Sequence, residues 1–332
     1  MTQLSSGLPV AAGTGFLFSP ASRYPTPTAF LVDAGGTTLH SWSHRAWQPH
    51  PREEPPNYLR GWNHVAVDGA GSLYAIVPLR ALLKLTFQST VDWSCSVTAH
   101  HDLAFDSGGN ILVLTEAPRR VRAGGRQQVV LDDLVTTIGP DGRWLREQSL
   151  YDILRTEPGL RRRIDAALVD RAAALEREWG TGSADRAMSA AAESWPAPGG
   201  DGGDQRRRTL QALRALPGSP CDVLHANTLD ILGAHPDGSW DDGAVLVCLR
   251  ELDTVAVLDL ARAQVRWSWG AGELSGPHDQ PRSVLDLVLR PDEPPGDHVG
   301  VGLQPLDDVD EFALDEIAQR HSSLLVCCVV VI

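Results

Sequence analysis

His101-Asp-Leu-Ala-Phe-Asp-Ser-Gly-Gly-Asn-Ile-Leu-Val-Leu-Thr115 reads as a short strand, a turn at Asp106-Ser-Gly-Gly109 and a second, apolar strand. The phrase recurs. An earlier copy is His64-Val-Ala-Val-Asp-Gly-Ala-Gly-Ser-Leu-Tyr-Ala-Ile-Val77. A later copy starts at His225 (His-Ala-Asn-Thr-Leu-Asp-Ile-Leu) and reaches its second strand at Ala244-Val-Leu-Val-Cys248. Another begins at His278-Asp279 and then loses the pattern. Repeats set an architecture before any single residue does. Each copy opens on a histidine, so a ring of such units gathers imidazoles from distant parts of the chain.

A second phrase interlocks with the first. Ala29 to Ser43, Leu82 to Ser94, Leu134 to Leu145 and Val255 to Trp269 each read as strand, tight turn and strand, with a Trp in the outgoing strand. Gly35-Gly36 and Asp141-Gly142 are strong hairpin pairs. Two strands from each phrase make four antiparallel strands per unit, which is a propeller blade. The step from His64 to His101 suits one blade; the step from His101 to His225 is far too long for one. The predicted class is all-β, a β-propeller with a helical insertion and an irregular C-terminal tail.

The excess falls between Leu150 and Pro220. Tyr151 to Arg155, Arg161 to Arg177 and Gln205 to Leu216 have helical composition, and Ala197-Pro-Gly-Gly-Asp-Gly-Gly-Asp204 is a flexible link. The segment is either a lid or a tolerated surface excursion, since long loop insertions cost little. The expected layout is propeller blades over 1–150, the insertion over 151–220, further blades over 221–282 and a divergent tail over 283–332. Four Trp hairpins and one truncated start leave open how the ring closes and protects its edges.

Composition narrows the functional classes. The 332 residues are 42% hydrophobic and 21% charged, an ordinary globular balance. A formal net charge of −13 argues against a general nucleic-acid or anionic-membrane binder, though a local cationic pocket stays compatible with it. Met1 to Val10 lacks the pattern of a secretory signal, which makes a cytoplasmic location the expectation. The apolar run Leu324 to Ile332 is too short to span a bilayer. Five cysteines without zinc-ligand spacing read as free thiols. Gly124-Gly125 and Gly199 to Gly203 lack the strand-to-helix setting of a phosphate loop, and no Gly-x-Ser-x-Gly elbow occurs. Neither a cofactor nor a metal is expected, although three histidines with Asp neighbours leave a metal site conceivable. The sequence carries no signal for an oligomeric state.

These phrases resemble the arylsulfate sulfotransferase family, whose members are six-bladed propellers that work without 3′-phosphoadenylyl sulfate. The resemblance runs from about Gly15 to Asp279. It rests on His100-His101-Asp102 before a Gly-Asn turn, on Leu224-His225-Ala-Asn227-Thr-Leu-Asp230, on Leu249-Arg250-Glu-Leu-Asp-Thr-Val-Ala-Val-Leu258 and on Ser275-Gly-Pro-His278-Asp279. It implies that His278 is the nucleophile, attacking an aryl sulfate and carrying the sulfuryl group as a sulfohistidine to a phenolic acceptor. His101, His225 and Arg250 would line a central channel and hold the sulfate oxygens. The family is often exported.

Elementary chemistry is consistent with those roles. Imidazole is a nitrogen nucleophile competent near neutral pH. A guanidinium grips two oxygens at once and stays charged. Protonated imidazoles supply donors or a proton for the leaving group. Each residue also has a plainer reading. A histidine at a strand start can cap a turn; His64, which lacks a following Asp or Asn, reads as structural. His100 reads as support for its neighbour, and Asp102 and Asp279 as orienting partners of the rings they follow. The Trp residues read as blade packing, with Trp62 beside His64 the exception. The alternative from another class is a non-catalytic propeller that binds a ligand or protein partner.

Overall fold

The computed structural model describes residues 15–20, 26–33, 35–45, 61–179, 183–196, 203–216, 221–270 and 326–331. They are mostly strand. In chain order come β1 (Gly15–Pro20), β2 (Thr28–Asp33) and β3 (Thr38–Ser43), then β4 (Val65–Val67), β5 (Leu73–Val77), β6 (Ala81–Leu85) and β7 (Val91–Cys95). Next are β8 (Ala99–Phe105), β9 (Ile111–Ala123), β10 (Arg126–Ile138) and β11 (Trp144–Ser149). Four helices follow: α1 (Leu150–Leu154), α2 (Pro158–Trp179), α3 (Ser183–Glu193) and α4 (Gly203–Arg214). The chain returns to strands with β12 (Ala226–Leu232), β13 (Ala244–Leu249), β14 (Thr254–Asp259), β15 (Gln264–Trp269) and β16 (Val326–Val331). No described helix is long and apolar enough to cross a membrane.

The strands form four-stranded sheets: β4-β5-β6-β7, β8-β9-β10-β11, β12-β13-β14-β15 and β16-β1-β2-β3. Three follow chain order. In the last, β16 takes the place that β4, β8 and β12 hold in theirs, pairing antiparallel with β1. The C-terminal apolar run, expected within a divergent tail, thus supplies a strand.

Local chemistry explains the hairpins. Asp106 Oδ1 accepts from the amides of Gly108 (2.9 Å) and Asn110 (2.8 Å), and Gly109 takes φ +78. Asp68 does the same for Ala70 and Ser72 at 3.0 and 2.9 Å, with Gly71 at φ +82. Side-chain capture of turn amides, with glycine where the backbone must go left-handed, stops one strand and starts the next.

The described residues divide into two compact units, 15–77 with 83–93 and 326–331, and 78–82 with 94–270. The first holds the β1 sheet and most of the β4 sheet. Its buried Trp42 meets His40 edge-on, and His40 stacks on Phe87 at 3.7 Å between centroids while its Nε2 contacts the Phe87 carbonyl at 2.8 Å. The other Trp residues of the repeated hairpins are not core residues. Trp93, Trp267 and Trp269 are half-buried and Trp144 is 39% exposed, because β7, β11 and β15 are last in their sheets and turn one face outward. Among the described residues, the fully buried Trp residues outside that phrase are Trp62 and Trp240.

The second unit holds the other two sheets and the helices. Its core joins Leu114, Val135, Val245 and Val247 to the α2 stripe Leu160, Ile164 and Leu168. That i, i+4, i+8 spacing gives α2 an apolar face, and Pro158 suits its first position. β9 and β10 are 13 residues each and stay in register from Ile138↔Ile111 to Arg126↔Ala123. Gly124 and Gly125, at φ +57 and +77, close this long ribbon as a hairpin turn.

Candidate functional site

Two of the repeated histidines meet. β8 and β12 lie against each other at the start of their sheets, and Asp102 laces them together. Its Oδ1 accepts from the Leu103 amide (2.8 Å) and its Oδ2 from the Leu229 amide of β12 (2.9 Å). At this junction the rings of His101 and His225 stand 5.3 Å apart, centroid to centroid, at 67°. Both residues have left-handed backbones, φ +53 and +49. β8 slips register between Ala99 and Leu103, and β12 between Ala226 and Thr228. A left-handed non-glycine residue costs about 1–2 kcal/mol. That both repeats accept it at the same point marks the position as special. His64 is not among the left-handed residues; it is buried, and its carbonyl accepts from the Ile76 amide within the sheet.

Buried carboxylates stand behind the imidazoles. His225 Nδ1 donates to Asp222 Oδ2 at 2.6 Å. Burial alone pulls the His225 pKa down, but the Asp222 bond and charge outweigh it and leave the ring above its ordinary value. Burial likewise works against the Asp222 carboxylate, yet the His225 bond and the Arg214 charge hold its pKa below the usual range. Each group thus favours the charged form of the other. The His101 Nδ1 lies 2.8 Å from the Nδ1 of His100. His100 is 3% exposed, and its Nε2 lies 3.1 Å from Asp133 Oδ1, off the line of a hydrogen bond. Asp133 Oδ2 accepts from the Ala226 amide at 3.0 Å, which ties this carboxylate to the start of β12.

In the β9–β10 ladder Asp133 faces Glu116, and both are buried. Like charges directly opposite destabilise a sheet. Arg214 of α4 answers Glu116 with two bonds, Nε to Oε2 at 3.0 Å and Nη2 to Oε1 at 2.9 Å. Burial still lifts the Glu116 pKa above the ordinary carboxylate value, against the Arg214 and His100 charges.

Arg250 sits beside His225 through its backbone: its amide donates to the His225 carbonyl at 3.2 Å. The residue opens a 3-10 turn, Arg250–Leu252, and is exposed. α2 clamps this turn. Arg163 donates to the Leu252 carbonyl (3.0 Å) and to Thr254 Oγ1 (2.7 Å), and Arg171 pairs with Glu251. The insertion thus contributes to the site from two helices, α2 through the Arg250 turn and α4 through Arg214. His278 and Asp279 lie outside the described residues. Among the described residues no group of three or more His, Cys, Asp or Glu side chains is arranged to hold a metal ion.

Sequence reading missed Glu116, Asp133, Asp222 and Arg214. Asp132-Asp133 within the apolar run Val129-Val-Leu-Asp-Asp-Leu-Val135 was the available signal, since two acids inside a buried strand need partners.

A search of curated proteins finds no match. Among solved structures, a protein of unknown function from Bacteroides caccae aligns at TM-score 0.31 and 9% identity, covering 80% of this chain and 76% of that one. The profile of the Arylsulfotransferase (ASST) family matches residues 60–302. It begins after the first three strands and runs past Asp279, so its span differs at both ends from the one read by resemblance. It includes His100, His101, Glu116, Asp133, Arg214, Asp222, His225 and Arg250. A match over most of the chain, containing the paired histidines and the groups that hold them, places this protein in the Arylsulfotransferase (ASST) family.

Proposed function

We propose that this protein is a nucleotide-independent aryl sulfotransferase on a β-propeller. It moves a sulfuryl group from an aryl sulfate to a phenol through a sulfohistidine on His278. The observation that carries the reading is the His101–His225 pair, two left-handed histidines from different repeats with rings 5.3 Å apart, within the family match. The blade-like order of three sheets, and β16 in the first position of the remaining one, support the propeller.

In the first half-reaction a neutral nitrogen of His278 forms a bond to sulfur as the S–O bond to the aryl group breaks, and the electron pair leaves on the phenolate oxygen. In the second, the oxygen of an incoming phenol displaces the histidine. Charge gathers on the sulfuryl oxygens in both. His225, held through Nδ1 by Asp222, supplies one N–H donor, and the exposed guanidinium of Arg250 supplies a second, charged one. His101 supplies the third.

The test is transfer from 4-nitrophenyl sulfate to phenol without added nucleotide, followed by nitrophenolate release and by formation of phenyl sulfate. The wild type transfers, and His278→Ala with an unchanged circular dichroism spectrum does not. Full activity in that variant refutes the nucleophile. A folded wild type inert toward every aryl sulfate would leave the non-catalytic propeller as the reading.

A further inference from the structure

The proposed reaction needs a proton twice. A basic phenolate leaves readily only if its oxygen is protonated, and the accepting phenol must give its proton up. We infer that His100 is a positioning residue that passes this proton to and from the ring of His101. The inference rests on the function proposed above, and its test separates the two.

The contact between the two Nδ1 atoms, at 2.8 Å, carries the inference. Two imidazole nitrogens at that distance hold one proton between them: two N–H groups would clash, and two lone pairs would repel. His100 is buried while His101 is half-buried, so the bridge runs from a sealed ring to one nearer the surface. On its far side His100 meets the carboxylate of Asp133 across 3.1 Å. Charged groups surround the ring. Glu116 from β9 and Asp133 from β10 lie opposite each other, and Asp222 precedes β12. Arg214 from α4 answers Glu116 directly, His225 answers Asp222, and Arg171, itself paired with Glu251, acts on Asp222 from further off. Asp133, 3.1 Å from His100 Nε2, also acts on the charges of His225 and Arg214.

In this relay His100 starts with a proton on both nitrogens and donates from Nδ1 to the Nδ1 lone pair of His101, which carries its own proton on Nε2. As the aryl oxygen leaves, His101 gives the Nε2 proton to it and takes the Nδ1 proton from His100. His100 ends neutral, keeping its Nε2 proton. When the acceptor phenol attacks sulfur, its proton passes to His101 Nε2 and the Nδ1 proton returns to His100. One proton leaves and one comes back, so each cycle closes without a further reactant.

The test compares a donor with an acidic leaving group, 4-nitrophenyl sulfate, against one with a basic leaving group, phenyl sulfate. His100→Asn offers an amide that can bond the His101 ring but holds no transferable proton. kcat/KM is expected to fall by about 10²–10³ with phenyl sulfate and by only a few-fold with 4-nitrophenyl sulfate. Equal losses on both donors, or none, overturn the relay. A second measurement needs no variant: in the wild type, the solvent deuterium effect on kcat/KM is larger for phenyl sulfate than for 4-nitrophenyl sulfate, and equal effects overturn the relay. A wild type that transfers from neither donor overturns the functional reading and the relay with it, a result distinct from equal losses.

Discussion

Replacing Arg214 by Met would leave Glu116 buried, 1% exposed, without the guanidinium that meets both of its oxygens at 2.9 and 3.0 Å. Removing one partner of a buried pair costs about 3–5 kcal/mol, because the other charge stays stranded. A second estimate comes from letting Glu116 take a proton instead. Protonating a carboxyl of ordinary pKa 4.5 at pH 7 costs about 3.4 kcal/mol, at about 1.36 kcal/mol per pH unit. The two estimates agree, and the second adds a signature. The variant's native state binds a proton that the wild type binds less tightly, so the variant's deficit shrinks as pH falls, by up to about 1.4 kcal/mol per unit between pH 7 and pH 5. Urea unfolding followed by the fluorescence of the ten Trp residues reads it directly. The double variant Glu116→Gln with Arg214→Met should recover part of the loss, because no charge is then stranded. A loss below about 1 kcal/mol at pH 7, or one that does not change with pH, would refute the account of Glu116 as a buried carboxylate held by α4.

Asp222→Asn should lower the titration midpoint of His225, followed by NMR, since the bond and the charge that raise it most would be gone and burial would be opposed by the Asp133 charge. The pair's stabilisation is present above the unfolded Asp pKa of 3.8 and below the unfolded His pKa of 6.5, so the variant's loss should be largest in that window and fall off on either side; an unmoved midpoint contradicts this. Asp132, whose carboxyl burial pushes up to about 6 from 3.8 despite bonds from Ser149 and the Tyr151 amide, should cost stability as pH rises. The native state binds the extra proton, so about 3 kcal/mol is lost between pH 4 and pH 6, and Asp132→Asn should flatten that part of the stability profile. An unchanged profile would place Asp132 in a wetter setting than the structure shows.

The hairpins were legible in the chain because their causes are local. Asp106 and Asp68 capture amides within four residues, glycines take the left-handed turn positions, and the apolar runs between them span one strand. The positions of His101 and His225 came from the same repetition. Helices α1, α2 and α4 coincide with the segments read as helical, while α3 lies in the same helical insertion but outside those segments. Gly124-Gly125 was considered only as a failed phosphate loop, although it closes the ribbon whose register sets Asp133 opposite Glu116. That register is a property of two 13-residue strands zipped together, and no short motif announces it.

By itself the sequence determined the β class, the four-strand units and the histidine that opens each repeat, since alternation, turn chemistry and repetition act over a few residues. Only the tertiary structure decided which groups answer those histidines. His225 found its carboxylate three residues away, but Glu116 found Arg214 across 98 positions and Asp102 bonded β12 across 127. A buried charge must be met by whatever the fold brings within about 3 Å, and that choice belongs to packing rather than to sequence neighbours.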